Sequence, residues 1–145
     1  MTTKRENILD QIKTSLANTT NVGSRIYRSR VVPLARNESP ALVIEPVSDT
    51  CEQNLSLPKL DWSLTVRISI IVRASTSDDV PDSVADPIVE SVHSKMTADL
   101  TLNSTCIDVQ PQSVSFEMVD ADQAAGVIGM DFLIRYRTSV NSVTA

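Results

Sequence analysis

The chain has 145 residues, 13 basic and 18 acidic, for a formal net charge of −5; it is 41% hydrophobic but only 3% aromatic. That length predicts one domain, residues 1–145, with an aliphatic core of Val, Ile and Leu. The acidic balance excludes general affinity for nucleic-acid phosphates, three glycines supply no phosphate-cradling motif, and no apolar run approaches the ~20 residues that span a bilayer.

The polar start, Met1 to Asn7, lacks a signal-peptide pattern, so a cytoplasmic chain with Cys51 and Cys106 as reduced thiols is expected. Thr3-Lys4-Arg5-Glu6 fits a capping box, in which the Thr3 hydroxyl and the Glu6 carboxylate satisfy each other's backbone donors. Behind it Ile8, Leu9, Ile12 and Leu16 share one helical face, and Asp10 and Lys13 are spaced to pair on the other. A first helix is predicted from residue 4 to Ala17, ended by Asn18 to Gly23.

Arg25-Ile26-Tyr27 predicts a short strand, and Pro33 and Pro40 predict a loop between Val31 and Pro40. Ala41 to Glu45 predicts a strand closed by Pro46; its four consecutive apolar residues place it inside a sheet, covered on both faces. Val47 to Leu60 reads either as a continuation of that strand or as a long loop.

From Trp62 to Ala74 every even position is apolar, and every odd one except Ile71 is polar or charged. Only a half-buried strand asks for period two over such a length. At roughly 3.3 Å per residue it would span about 40 Å, more than a chain this small is expected to cover. The excess predicts an edge or arm available to another subunit.

Ser77 to Asp79 predicts a helix cap, and Val84, Ile88, Val92 and Met96 repeat every four residues toward about Asp99. Pro87 inside that pattern points to a kink or restart, with Asp86 as the true N-cap. Cys106 to Val109 predicts a short strand before Pro111. Val114, Phe116 and Met118 alternate with polar residues, as do Ile128, Met130, Phe132, Ile134 and Tyr136 with theirs, which predicts a hairpin turning at Asp120–Gly126. The tail, about residues 139–145, is polar and expected to be flexible. The order α-β-β-β-α-β-β defines an α+β domain: a mainly antiparallel, mixed sheet with two main helices packed on it, and a long strand or hairpin able to project.

Catalytic chemistry finds little support. His93 is the sole histidine; beside Val92 and within a turn of Ile88 and Met96, it reads as an ordinary helix residue at the core edge. The two cysteines lack zinc spacing and no nucleophile-elbow motif exists, so no catalytic, cofactor-binding or metal-ligating residue is assigned and no cofactor is expected. Charge is unevenly spread, however. Arg25, Arg28, Arg30 and Arg36 lie in a stretch without acids, and Asp78, Asp79, Asp82 and Asp86 in a stretch without bases. The aspartates lack EF-hand alternation and suit a helix start. The two clusters read either as solvated patches or as an electrostatically matched contact between subunits.

The layout carries a resemblance: an N-terminal helix, Arg25-Ile26-Tyr27, the Ser39–Ile44 strand, a Trp62-led long strand, an Asp-rich helix with Val92-His93 and Met96, Ile107-Asp108-Val109, and a closing strand from Gly126 to Thr138. This resembles the tail-terminator (minor tail) proteins of tailed bacteriophages, similar to the lambda-type terminator, over nearly the whole chain. The resemblance implies a non-enzymatic virion protein, assembled in the host cytoplasm, that caps the head-proximal end of the tail tube as a homo-hexameric ring. It would end tube growth and meet the head-side connector or head-completion protein, while viral DNA passes through its lumen without specific binding and no membrane is involved. An acidic chain suits such a pore, because like charge weakens phosphate binding. Two other readings stand beside it: another phage neck or head-completion protein, and a small cytoplasmic α+β ligand-binding domain or enzyme, which predicts a convergent polar pocket.

Overall fold

The computed structural model describes residues 2–28, 40–52, 59–73, 81–119 and 125–144. Helix α1 (Lys4–Ser15) leads into strand β1 (Ile26–Arg28), then β2 (Ala41–Glu52), β3 (Lys59–Arg73), helix α2 (Pro81–Thr97), β4 (Asp108–Val119) and β5 (Ala125–Ser139). The five strands form one mixed sheet in the order β1-β2-β3-β5-β4, and the domain is α+β with the element order read from the sequence.

Only the β1–β2 pairing is parallel; β2, β3, β5 and β4 form an antiparallel block. The long strand β3 lies at the centre. It pairs with β2 from Ile71 to Asp61 and with the equally long β5 from Lys59 to Arg73. Its length is therefore covered within the subunit, and the expected free edge belongs to β4 of the β4–β5 hairpin instead. Two strands run longer than their sequence limits because each passes a proline through a bulge, between Pro46 and Ser48 in β2 and between Pro111 and Ser113 in β4. A bulge absorbs the residue that breaks the ladder and lets pairing resume. The polar stretch after Val47 thus continues β2 to Glu52, and the two segments around Pro111 are one strand.

The helices close one face of the sheet. Ile8, Leu9, Ile12 and Leu16 from α1 and Ala85, Ile88, Val92 and Met96 from α2 pack on Leu42, Ile44, the even positions of β3 from Leu64 to Val72, and Ile128 to Tyr136 of β5. This is the core that the period-two and period-four patterns specify. Apolar burial of about 1.5–3 kcal/mol per large aliphatic side chain drives it. The same drive carries α2 through Pro87 without a new start, although an interior proline costs roughly 3 kcal/mol. Pro87 faces solvent, and Asp86 is an exposed residue inside the helix, not its N-cap. The cap expected at Ser77–Asp79 lies outside the described residues.

Half of the predicted capping box forms. Thr3 Oγ1 accepts from the Glu6 N–H at 3.1 Å, whereas the Glu6 carboxylate turns to Arg28. Asp10, expected to pair with Lys13, also accepts from Arg28. Helix α2 ends at Thr97, two residues early, because Asp99 builds the following turn. Its carboxylate accepts from the Thr101 N–H and hydroxyl and from the Asn103 N–H, at 2.7–3.0 Å, which holds it below the usual carboxylate range. The tail closes into a turn: Ser139 bridges to Ser142, and the Lys4 N–H donates to the Val143 carbonyl at 2.9 Å.

Candidate functional site

With one face of the sheet under helices, the other face carries the exposed chemistry. Its residues come from the odd positions of β3 and β5 and their cross-strand partners. Glu45, Arg67 and Asp131 stand side by side across β2, β3 and β5. Arg67 donates to both Asp131 oxygens, from Nε at 2.9 Å and Nη2 at 3.3 Å, and this bidentate pairing keeps its guanidinium more firmly protonated. Gly129 makes room for that side chain: a Cβ there would lie 2.9 Å from Ser115 Oγ and 3.4 Å from Arg67 Cδ. Further along, Arg137 Nε donates to Asp61 at 2.6 Å. Opposite charges in register are a packing device of open sheet faces. Two shallow hollows lie between these rows, about 370 Å³ beside Asp61, Ser63 and Arg135 and about 470 Å³ beside Glu45, Arg67 and Gly129. Both are open, and neither gathers a nucleophile, a base and an orienting group.

A second cluster ties the end of the sheet to α1. Trp62 and Tyr136 stack with centroids 6.1 Å apart and planes 10° apart, and Trp62 Nε1 donates to Thr138 Oγ1 at 2.9 Å. The Tyr136 hydroxyl donates to Asp49 Oδ2, and Arg5 stands 3.7 Å from the same oxygen. Asp49 is only 10% exposed, and its Oδ1 has no hydrogen-bond partner. Burial pushes the Asp49 carboxyl up, and burial together with that carboxylate pushes the Tyr136 phenol up. Sequence reading missed Asp49, since it lies in a polar stretch with no alternation to mark its face. The signal that existed was the even phase of Trp62 and Tyr136, which sends both to the helix side.

The predicted charge clusters fare differently. Arg28 lies among carboxylates of its own subunit: Nη1 donates to Glu6 at 2.9 Å and to Asp10 at 2.7 Å, and Nη2 donates to Glu6 at 3.1 Å. These partners raise the Arg28 pKa and lower that of Glu6. Arg25 donates to the carbonyls of Pro40 and Asn21, which leaves its charge without a counter-ion in those bonds. Arg30, Arg36, Asp78, Asp79 and the side chain of Asp82 lie outside the described residues. Asp86 is exposed on α2.

His93 is exposed on the same helix rather than at the core edge. Burial pushes the Cys106 thiol up to about 11, far from thiolate chemistry at neutral pH, and Cys51 is an exposed free thiol. Among the described residues, no three His, Cys, Asp or Glu side chains are grouped to hold a metal ion. No helix among the described residues is long and apolar enough to cross a membrane. No protein-family model matches the chain, and no curated protein sequence matches it.

Proposed function

We propose that the chain is the subunit of a ring, hexameric in line with the resemblance, that caps the head-proximal end of a bacteriophage tail tube. The ring ends tube polymerisation, presents a surface to the head-side connector or head-completion protein, and leaves a lumen through which DNA passes. The role is structural and needs no catalytic group. The observation that carries this reading is the asymmetry of the sheet. One face is sealed by two helices, while among the described residues no element packs on the other face and no strand pairs with the outer edge of β4. A unit that must contact copies of itself, a tube below and a connector above needs several such surfaces at once. The element order supports the same reading, because it follows the layout on which the resemblance rests.

The test is electron microscopy of the purified chain mixed with phage tail tubes. Rings seated at one end of the tubes, with tube length fixed by their presence, are the expected result. Tubes that elongate unchanged and carry no extra density would overturn it.

A further inference from the structure

We infer that a hollow between the start of α1, the end of β5 and the turn after α2 is a binding site for a small oxyanion of the phosphate class. The hollow measures about 170 Å³, with Lys4, Arg137, Ser104, Thr105 and Cys106 in its walls. Among the described residues that line it are two cations and two hydroxyls, and no carboxylate. The site stands apart from the ring reading and needs neither a tail tube nor a second copy.

Its donors are held in place but not used up. Lys4 begins α1, where its N–H donates to the Val143 carbonyl at 2.9 Å, and its Nζ donates to the Arg137 carbonyl at 2.6 Å. An ammonium carries three N–H donors, so two remain. Arg137 donates from Nε to Asp61 at 2.6 Å, and its two Nη groups make no hydrogen bond among the described residues. The Ser104 hydroxyl likewise has no partner among the described residues; its N–H alone is engaged, toward Thr101 Oγ1. Thr105 differs, because its hydroxyl already donates to the Leu102 carbonyl.

The turn that presents Ser104 is strained. Leu102, Asn103 and Ser104 have φ of 46°, 58° and 64°, three consecutive non-glycine residues in the left-handed region, where Cβ crowds the following carbonyl. Such a run persists only when its surroundings over-determine it, and strain of this kind gathers at functional sites. Here Asp99 accepts from Thr101 and Asn103, the N–H groups of Thr105 and Cys106 both donate to the Thr101 carbonyl, and Leu102 is buried. The acids of these elements are engaged elsewhere: Asp99 by the turn, Asp61 by Arg137 and Asp108 by Gln110. The Cys106 thiol, pushed up to about 11 by burial, adds no negative charge at neutral pH. Two cations and an unpaired hydroxyl around an acid-free hollow match a dianion with several acceptor oxygens, which is phosphate rather than a carboxylate. The net charge of −5 disfavours the polyanionic backbone of DNA, so the source is free phosphate or a small monoester.

The experiment titrates inorganic phosphate into the isotope-labelled full chain and follows amide shifts by NMR, with chloride holding ionic strength constant so that screening does not change. Saturable shifts at Lys4, Ser104 to Ile107 and Arg137 are the expected result. A short DNA duplex at equal phosphate concentration should leave those amides in place. Lys4→Gln and Arg137→Gln should each weaken binding about tenfold, as the loss of a charged hydrogen-bonding group does. Ser104→Ala should weaken it by a smaller factor, and Lys13→Gln, near the other end of α1, should leave it unchanged. Lys4 and Arg137 also hold the fold together, so Ser104→Ala is the variant that decides if either of them unfolds: it removes one exposed hydroxyl and nothing from the core. Phosphate that gives no saturable shift, or that binds Ser104→Ala and the folded charge variants as it binds wild type, would overturn the site. Saturable DNA binding that Lys4→Gln or Arg137→Gln removes would overturn the assignment to a free phosphate.

Discussion

The two edges of the sheet solve the same physical problem in opposite ways. At one edge, β1 contributes only three residues, and Arg28 at its end is pinned by Glu6 and Asp10 of α1. That edge is short and clamped to a helix of its own subunit. At the other edge, β4 offers twelve residues with no clamp among the described residues, and Val114 and Phe116 beyond the bulge reach solvent. A strand edge is costly to leave open, because its donors and acceptors invite any passing chain. The contrast teaches that the β4 edge is blunted only locally: Pro111 and one bulge interrupt its first half, and the ladder with β5 runs regularly after it.

The largest expected effect separates the two phenylalanines. Phe132 is 1% exposed at the centre of β5, and Phe132→Ala should destabilise the subunit by about 4 kcal/mol in urea unfolding. Phe116→Ala, on the open edge, should change subunit stability by less than about 0.5 kcal/mol. Equal losses at both positions would mean that the β4 edge is not open.

Next come the charges of the two edges. Arg28→Glu would place three carboxylates together beside α1 and should cost about 2 kcal/mol of subunit stability, since hydrogen bonds to charged groups contribute about 1.5–3 kcal/mol. Glu117→Arg should leave the thermal midpoint of the isolated subunit unchanged within measurement. The same comparison makes Arg28 a poor probe of assembly, because its loss would weaken the fold before any contact.

Sequence reading reached the sheet more easily than its edges. Period-two runs in β3 and β5, and Ile88–Val92–Met96 in α2, fix which face is buried, because burial is what the alternation records. Strand order is not recorded that way. The length of β3 looked like an overhang, yet the matching length of β5 covers it, and two alternating strands of equal length do not announce that they are partners. Pro46 and Pro111 looked like strand ends, since a proline removes a ladder donor; a bulge that accommodates it leaves no further mark in the residue pattern. The arginine cluster was legible as charge, but the fate of Arg28 depended on Glu6 and Asp10, brought close only by the packing of α1 against β1.

Smaller still are the pH effects, and they run in opposite directions. Arg28 lowers the Glu6 pKa from its ordinary 4.5, so this pair stabilises the fold fully above that value, and its contribution is lost as pH falls through the lowered folded pKa. Burial raises the Asp49 pKa from its ordinary 3.8, so the contribution there is present below 3.8 and is lost as pH rises through the raised value. Urea midpoints measured across the acid range should therefore flatten at their lower end in Glu6→Gln and at their upper end in Asp49→Asn. Identical pH profiles for wild type and both variants would contradict these assignments. Trp62→Phe, which removes the Nε1 bond to Thr138, should cost about 1 kcal/mol without changing either slope.

The most direct test of the account is hydrogen exchange, read by mass spectrometry, on peptides covering β4 and β5 in the dilute subunit and in the assembled ring. In the subunit, amides on the outer side of β4 should exchange quickly while those of β5, paired on both sides, stay protected. In the ring, protection of residues 113–119 should rise by at least tenfold, with β5 unchanged. Rings in which 113–119 exchange as fast as in the free subunit would contradict the proposal that the β4 edge is one of the surfaces the ring uses.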